Sequence, residues 1–584
     1  MLINTNIVNL LTNKKVIESS IINALYHRIH RDNYTNFFEI LSISEDSGDK
    51  ESIEILTREI SDIYSLRKEY NQEESFYYYQ PKTNFFSRRL VYQNFRDYAI
   101  RFHLVNVLSI LAENSFIRTS YSGRTIRNRD KFQPVFRNYY VQWCKFNDET
   151  QKILDLYSGK SKYVLTADIT SFFDSVIHEY LIDKIYQLVG NTLPQNYREL
   201  LGKIFTSKVE FYSIIDEQYR IEYKKHGFLT GSITEEFLAN ILLNSLDEIM
   251  IRNNFHYLRY MDDIRVITTS KDKAIHAFSI IQEELHQIGL SLNLKKTDIK
   301  ENPTKVKDLS YAKESESLIF ESDYEHIQDL ENDTENLSNA YKKFQSIDLC
   351  ASITNLSDKS KEHSTEDICC ILIQAISLIK VDLYGNLVFS CSDFLVDEEN
   401  FIKLLSKIPE IIQLYPKKGK VCAWELVNKC LVQQFSLPVQ YECLRIMIEI
   451  LKSNNYYDSV KTRLIHHLIK YRGKDKYYLL ILVHGKPDLK KGFIDLFTSF
   501  INSKSIDLSL NAIFGLFLLI SNQDELYDII YQNLPRPLPY SFAKVLTYIF
   551  DGDARKHLKK PISLEDILQS WDVYSPDFDD LNYG

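Results

Sequence analysis

Between about residue 85 and residue 300, short apolar runs alternate with longer stretches of helical spacing. RRLVY (88–92), YVLTADI (163–169), YLRYM (257–261), IRVITT (264–269) and LSLNL (290–294) are rich in β-branched and aromatic residues and read as strands. SKDKAIHAFSIIQEELHQIG (270–289) reads as a helix, with Ala274, Ala277, Phe278, Ile281 and Leu285 on one face and Gly289 at its stop. Strands interleaved with helices predict an α+β domain over 85–305. Residues 1–84 read mostly as helix, interrupted by the acidic SEDSGDKES (44–52). After 305 the strands fade. The acidic 313–340 and the polar 355–367 suit a connecting region over 306–365. From 366 to 584 come apolar segments at helical spacing, among them DICCILIQAISLI, NFIKLLSKIPEIIQLY, VCAWELVNKCLVQQF and VQYECLRIMIEILKS. Separated by short polar loops, they suit helix pairs stacked as an irregular, HEAT-like solenoid, or else a compact helical bundle.

Composition supports the helical bias. The chain of 584 residues holds only 16 Gly and 13 Pro beside 39 Tyr and 33 Phe, and few breakers disfavour an all-β fold. The length allows about two to four domains with sizeable cores. Eight cysteines show no C-x-x-C spacing, and their only close pair is Cys369–Cys370. Neither a zinc set nor a secreted disulfide framework fits, so a reduced, cytoplasmic setting is expected. No run of apolar residues is long enough to span a bilayer, and the N-terminal stretch lacks a signal layout, so no membrane role is expected. Net charge is −9, which speaks against a protein that coats nucleic acid indiscriminately. Local basic clusters at 87–103 and 122–137 leave room for a nucleic-acid channel, although such clusters also form solvated faces.

The candidate chemistry lies in the carboxylates. In YVLTADITSFFDSV an apolar strand ends on Asp168, with Asp174 six residues later at an aromatic helix start. Taken alone, these read as a strand-end turn and a helix cap. YLRYMDDIRVI sets Asp262 and Asp263 at the tip of a predicted hairpin that lacks the usual Asn-Gly or Asp-Gly turn. If Asp168 lies on a neighbouring strand, three carboxylates converge within a few ångströms. Such a cluster is unfavourable without divalent cations, and two Mg²⁺ ions about 3.5–4 Å apart would neutralise it and serve phosphoryl transfer.

D-I-T-S-F-F-D at 168–174 and Y-M-D-D at 260–263 resemble the two catalytic motifs of reverse transcriptases. HGFLTGSITEEFLANILLNSLDEIM (226–250) resembles the Gly-rich turn and helix that family places between them. GLSLNLKKTDI (289–299) resembles its Leu-x-Leu…Lys-Thr motif. The resemblance implies right-hand fingers and an antiparallel palm sheet over 85–305. It assigns Asp168, Asp262 and Asp263 to metal binding, with Asp168 and Asp262 as the direct ligands if neighbouring strand residues face apart. Phe173 falls where an aromatic ring bars a ribose 2′-hydroxyl, with Phe172 as the core residue beside it. Gly231 would let backbone approach the base pair, Lys296 would assist the leaving pyrophosphate, and Arg88 or Arg89 would grip the triphosphate.

The Gly-rich motif departs from templated relatives. It reads Leu229-Thr230-Gly231 and then Glu235-Glu236, where those enzymes carry Pro-Gln-Gly and then Ser-Pro. With a helical tail in place of a thumb and nuclease, the chain resembles bacterial abortive-infection (Abi) and other defence-associated reverse transcriptases. That resemblance implies anti-phage defence by DNA synthesis from dNTPs, dependent on Mg²⁺ with Mn²⁺ as a substitute. It further implies untemplated synthesis primed by a protein hydroxyl, DNA left attached to the enzyme, and a homo-oligomer in the bacterial cytoplasm. The priming residue is not named by the sequence. The alternative is an RNA-templated enzyme working with a non-coding RNA.

Overall fold

The structure is a computed structural model. It describes residues 7–30, 49–81, 87–126, 135–137, 139–190 and 193–309 (without 214 and 216), then 379–381, 387–389, 437–452, 458–469, 485–535 and 538–551, with single positions at 38, 405, 479 and 483. The predicted linker at 313–340, the polar loop at 355–367 and the predicted helices between 400 and 435 lie outside the described residues.

By compactness the chain divides into two units: Met1–Tyr78 with Arg89–Ser315 and Arg536–Gly584, and Tyr79–Arg88 with Glu316–Pro535. This differs from the linear division expected of the sequence, because the last segment groups with the first unit.

The first unit is built on a four-stranded antiparallel sheet in the order β6-β7-β3-β8. Its strands are β3 (Tyr163–Ala167), β6 (His256–Tyr260), β7 (Asp263–Thr268) and β8 (Asp298–Glu301). Strand alternation splits the apolar side chains between two cores. Leu165, Ala167, Ile264 and Val266 join one core with the helices α9 (Ile233–Arg252) and α10 (Lys271–Gln287). Val164, Leu258 and Ile267 face the other, against Phe146 and Leu154 of α5 (Tyr139–Leu156). Covered on both faces, the sheet is a rigid platform. The predicted helix at 270–289 is present as α10, with Ser270 as its cap accepting from the Lys273 N–H.

LSLNL (290–294) does not form the regular strand expected. Only an isolated bridge, Leu292 to Ile169, is made there, and β8 follows instead at Asp298–Glu301. The Thr170 N–H on the Ser291 carbonyl at 2.8 Å and the Asn293 N–H on the Asp168 carbonyl at 2.7 Å close this bridge, and pairing stops there because the Lys296 N–H turns the chain back onto the Asn293 carbonyl at 3.0 Å.

N-terminal helices α1 (Ile7–Thr12), α2 (Lys14–His30) and α3 (Asp49–Tyr64) pack with the long α4 (Phe95–Ala112), while Ser75–Pro81, within the stretch expected to be mostly helical, is a strand. A second sheet, β2-β1-β4-β5, comprises β1 (Ser75–Pro81), β2 (Ser87–Tyr92), β4 (Ser207–Ser213) and β5 (Gln218–Lys224). A late helix of the same unit, α16 (Tyr540–Asp551), returns to this sheet. Ser541 N–H donates to Glu210 at 3.1 Å, Phe542 packs edge-on to Tyr219, and Lys544 pairs with Glu73.

In the second unit the described helices are α11 (Leu437–Lys452), α12 (Asp458–Ile469), α13 (Pro487–Phe500), α14 (Ile506–Leu519) and α15 (Gln523–Asn533). Helix α11 packs on α13, and α12 on α14. The region expected to be wholly helical also holds an antiparallel strand pair, Ile379–Val381 with Leu387–Phe389. The β-branched IKV and LVF runs flank a Gly-Asn dipeptide, a local hairpin signal that overrides the helical rhythm around it.

Candidate active site

The hairpin tip forms as the alternation predicts. Strands β6 and β7 pair from His256 opposite Ile267 to Tyr260 opposite Asp263, so Met261 and Asp262 are the two turn residues. Met261 has φ +57°, while Asp262 lies outside the left-handed region. A positive φ at the first of two turn residues marks a type II′-like hairpin, where glycine is the usual occupant. A methionine there holds about 1–2 kcal/mol of backbone strain. Strain of this kind persists only where its surroundings impose it.

The β3–β7 register runs from Tyr163 opposite Thr268 to Ala167 opposite Ile264, so one further step sets Asp168 beside Asp263. Asp263, not Asp262, is therefore the cross-strand neighbour of Asp168, and Asp262 occupies the turn itself. Burial pushes the Asp263 carboxyl up to about 7, and the charges of Asp262 and Asp168 push in the same direction. The three acids thus feel one another. They are not drawn into a single ligand set: among the described residues, no three His, Cys, Asp or Glu side chains stand ready to hold a metal ion. Asp168 is instead engaged by Lys296 Nζ at 3.4 Å on one oxygen and by Asn293 Nδ2 at 3.2 Å on the other. Carboxylate oxygens are the hard donors that suit a divalent cation, and a cation drawing these three together would relieve the charge that Asp262 and Asp168 place on Asp263.

Phe172 is buried and Phe173 half-buried, packed edge-on to Phe172 and Phe228 with centroids 5.6 and 5.9 Å away. The sequence thus turns one ring into the core and leaves the next partly open. Ser171, at φ +44°, makes the bend that carries both. Asp174 caps nothing. It binds Lys224 Nζ at 3.0 Å. Gly231 has φ +102° and lies against Tyr78 and Leu90, where an added Cβ would come within 3.2 Å of the Tyr78 hydroxyl. Arg89 stacks over Tyr77 at 4.2 Å and stands 3.9 Å from Glu222, and no described contact links it to the acids. Arg88 is exposed on β2.

Three arginines at or near the basic clusters are committed to ion pairs inside the unit. Arg101 is buried against Glu235 at 2.6 Å, Arg124 is buried against Glu113 at 2.8 Å, and Arg96 pairs with Glu59 and Asp97. Arg127, Arg129 and Lys131 lie outside the described residues.

Sequence reasoning missed four neighbours of the turn. Glu236 accepts from the Ser122 hydroxyl at 2.6 Å. Burial pushes its carboxyl up to about 7, the bonds from Ser122 and the Gly123 N–H oppose that, and the Asp262 charge adds to it. Arg259 and Asp247 form a wholly buried ion pair at 2.6 Å. The signal for that pair was an arginine inside a buried strand, LRY, which obliges a partner elsewhere. Asn293 carried no signal beyond its place in a polar turn.

Residues 124–312 match the family described as reverse transcriptase (RNA-dependent DNA polymerase). Residues 124–312 thus carry a reverse-transcriptase domain. No curated protein matches the chain. Among solved structures it is similar to apo telomerase from Candida tropicalis truncated from its C-terminal domain, at 12% identity and TM-score 0.28, covering 39% of this chain. The chain spans 50% of that telomerase's length. It is also similar to telomerase from Candida albicans in complex with a fragment of telomeric RNA, at 11% identity and TM-score 0.31, covering 77% of this chain and 67% of that one. Among the described residues no helix is long and apolar enough to cross a membrane.

Proposed function

We propose that this polymerase acts in bacterial anti-phage defence of the abortive-infection type, joining dNTPs onto a protein hydroxyl without a template. The observation that carries the polymerase chemistry is the strand register that sets Asp168 beside Asp263 with Asp262 in the adjoining turn, at the end of a rigid sheet. Asp168, Asp262 and Asp263 would hold divalent cations, Mg²⁺ with Mn²⁺ as a substitute. Bound there, the metal would lower the pKa of the attacking hydroxyl and offset charge on the phosphates. Lys296, already beside Asp168, would carry a proton toward the leaving pyrophosphate. The open edge of Phe173 would exclude a 2′-hydroxyl, Gly231 would admit the nascent base, and Arg88 or Arg89 would meet the triphosphate.

The untemplated reading draws on two features. Glu235 and Glu236 replace the Ser-Pro of templated relatives, and Glu235 is committed to the buried Arg101. Arg96, Arg101 and Arg124 are used inside the unit, which leaves Arg118 as the exposed described arginine of the 96–124 stretch and narrows the basis for an RNA-binding face there.

The test supplies purified, nuclease-treated protein with labelled dNTPs and Mg²⁺. We expect DNA that stays with the protein through denaturing electrophoresis and disappears in Asp262→Ala. Synthesis only on adding RNA would sink the untemplated reading. Phage resistance left intact by Asp262→Ala would sink the enzymatic one.

A further inference from the structure

We propose that Arg259, aimed by Asp247, is the positioning residue of the acid-bearing turn. The inference rests on the polymerase reading of the site and adds to it a residue that touches no substrate. Arg259 lies in β6, two residues before the turn, and is fully buried. Its Nε and Nη2 meet the two oxygens of Asp247 at 2.8 and 2.6 Å, a bidentate fork. Nη2 also reaches the Ser120 hydroxyl at 3.1 Å, and Nη1 donates to the Met261 carbonyl at 3.1 Å. Asp247, on α9, is itself fixed by the Tyr257 hydroxyl at 2.7 Å.

The last of the Arg259 contacts is the informative one. In a two-residue turn the central peptide can flip with little change elsewhere, and its orientation decides the turn type and where the second residue points. Here that peptide joins Met261 to Asp262. The carbonyl bonded by Arg259 is the carbonyl of this peptide, so the guanidinium holds it in one orientation. It does so against the strain of a methionine at φ +57°. A buried ion pair alone is a weak source of stability, whereas one that fixes an otherwise flippable peptide under two acids has a positional use. Lysine could keep the charge opposite Asp247. It has no planar fork with which to reach Asp247 and the Met261 carbonyl together.

The experiment uses the full chain in four forms: Arg259→Lys, the paired Arg259→Met/Asp247→Leu, and each of these two combined with Met261→Gly. The paired form leaves no lone buried charge and so guards against simple unfolding. We expect kcat for dNTP incorporation to fall on the order of 100-fold, as for other displaced catalytic groups, with KM for dNTP within about twofold. Met261→Gly should restore roughly tenfold of that loss, because glycine takes the positive φ unaided. A readout independent of activity is available. The chain has four methionines, and a methyl-labelled sample should show one Met261 signal in the parent and exchange-broadened or split signals in Arg259→Lys.

A folded Arg259 variant with parental kcat and a single Met261 signal would overturn the inference, as would a loss that Met261→Gly leaves untouched. A parent protein that incorporates no dNTP would overturn the polymerase reading instead, and the methyl spectra would still judge the turn.

Discussion

Gly123 sits where two backbones nearly touch, and replacing it with alanine gives the most quantitative test of the fold around the site. A Cβ at Gly123 would lie 2.5 Å from both the carbonyl carbon and the oxygen of Glu236, and 2.7 Å from the Phe237 nitrogen. All three are main-chain atoms of the first turns of α9, so no side chain can swing aside. Gly123 also has φ +61°. The left-handed backbone costs alanine about 1 kcal/mol, and forcing a methyl into closed space costs about 1–3 kcal/mol. The expected loss is therefore about 2–4 kcal/mol, a large part of a domain's margin of roughly 5–15 kcal/mol. Urea unfolding would read it. Two controls separate the contributions. Gly159 has φ +73° with open space around it, so Gly159→Ala should cost only the backbone strain. Gly202, inside helix α8 (Tyr197–Phe205), also faces open space, and Gly202→Ala should stabilise by up to about 1 kcal/mol. If Gly123→Ala costs no more than Gly159→Ala, the close approach of the 119–123 segment to α9 is wrong.

Two further outcomes follow from single residues. Phe173→Ala should raise ribonucleotide incorporation relative to dNTPs in competition assays, since the half-open ring is the proposed bar to a 2′-hydroxyl, and an unchanged ratio would remove Phe173 from that role. His103 is buried with its ring nitrogens 2.9 Å from Ser20 Oγ and 3.0 Å from the Leu11 carbonyl, and burial pushes it down to about 4. Because the folded value lies below the unfolded 6.5, the stability it contributes is full above pH 6.5 and lost as pH falls toward 4, to the extent of about 2 kcal/mol at pH 5. The urea midpoint should drop between pH 7 and pH 5, and His103→Asn should flatten that drop; equal slopes would refute it.

The hairpin at 257–268 was legible because alternation, β-branching and a poor turn sequence all pointed to the same place. Asp168 at the end of an apolar strand was legible for the same reason. The register was not. A two-residue turn makes Asp263 the first residue of β7, and only the pairing of β3 with β7 then sets Asp263 opposite Asp168. The strand expected at 290–294 is cut to a single bridge because the chain turns at Asn293, whose carbonyl accepts from the Lys296 N–H. The β4–β5 hairpin went unread, since SKVEFYS and QYRIEYK mix charge and aromatics without a clean apolar face. The partner of Arg101 was not legible because it lies across the fold: Glu235 is 134 positions away.

The return of α16 to the β4–β5 sheet sets an order of events during synthesis. Glu210 waits for the backbone of Ser541, 331 positions downstream, and Glu73 for Lys544, 471 positions downstream. A ribosome that stalls between residues 316 and 535 leaves a chain that holds its acids and turn but whose β2-β1-β4-β5 sheet lacks α16. Completion of the first unit is thereby tied to synthesis of the residues beyond 540, so a chain cut short before them leaves this sheet without those contacts.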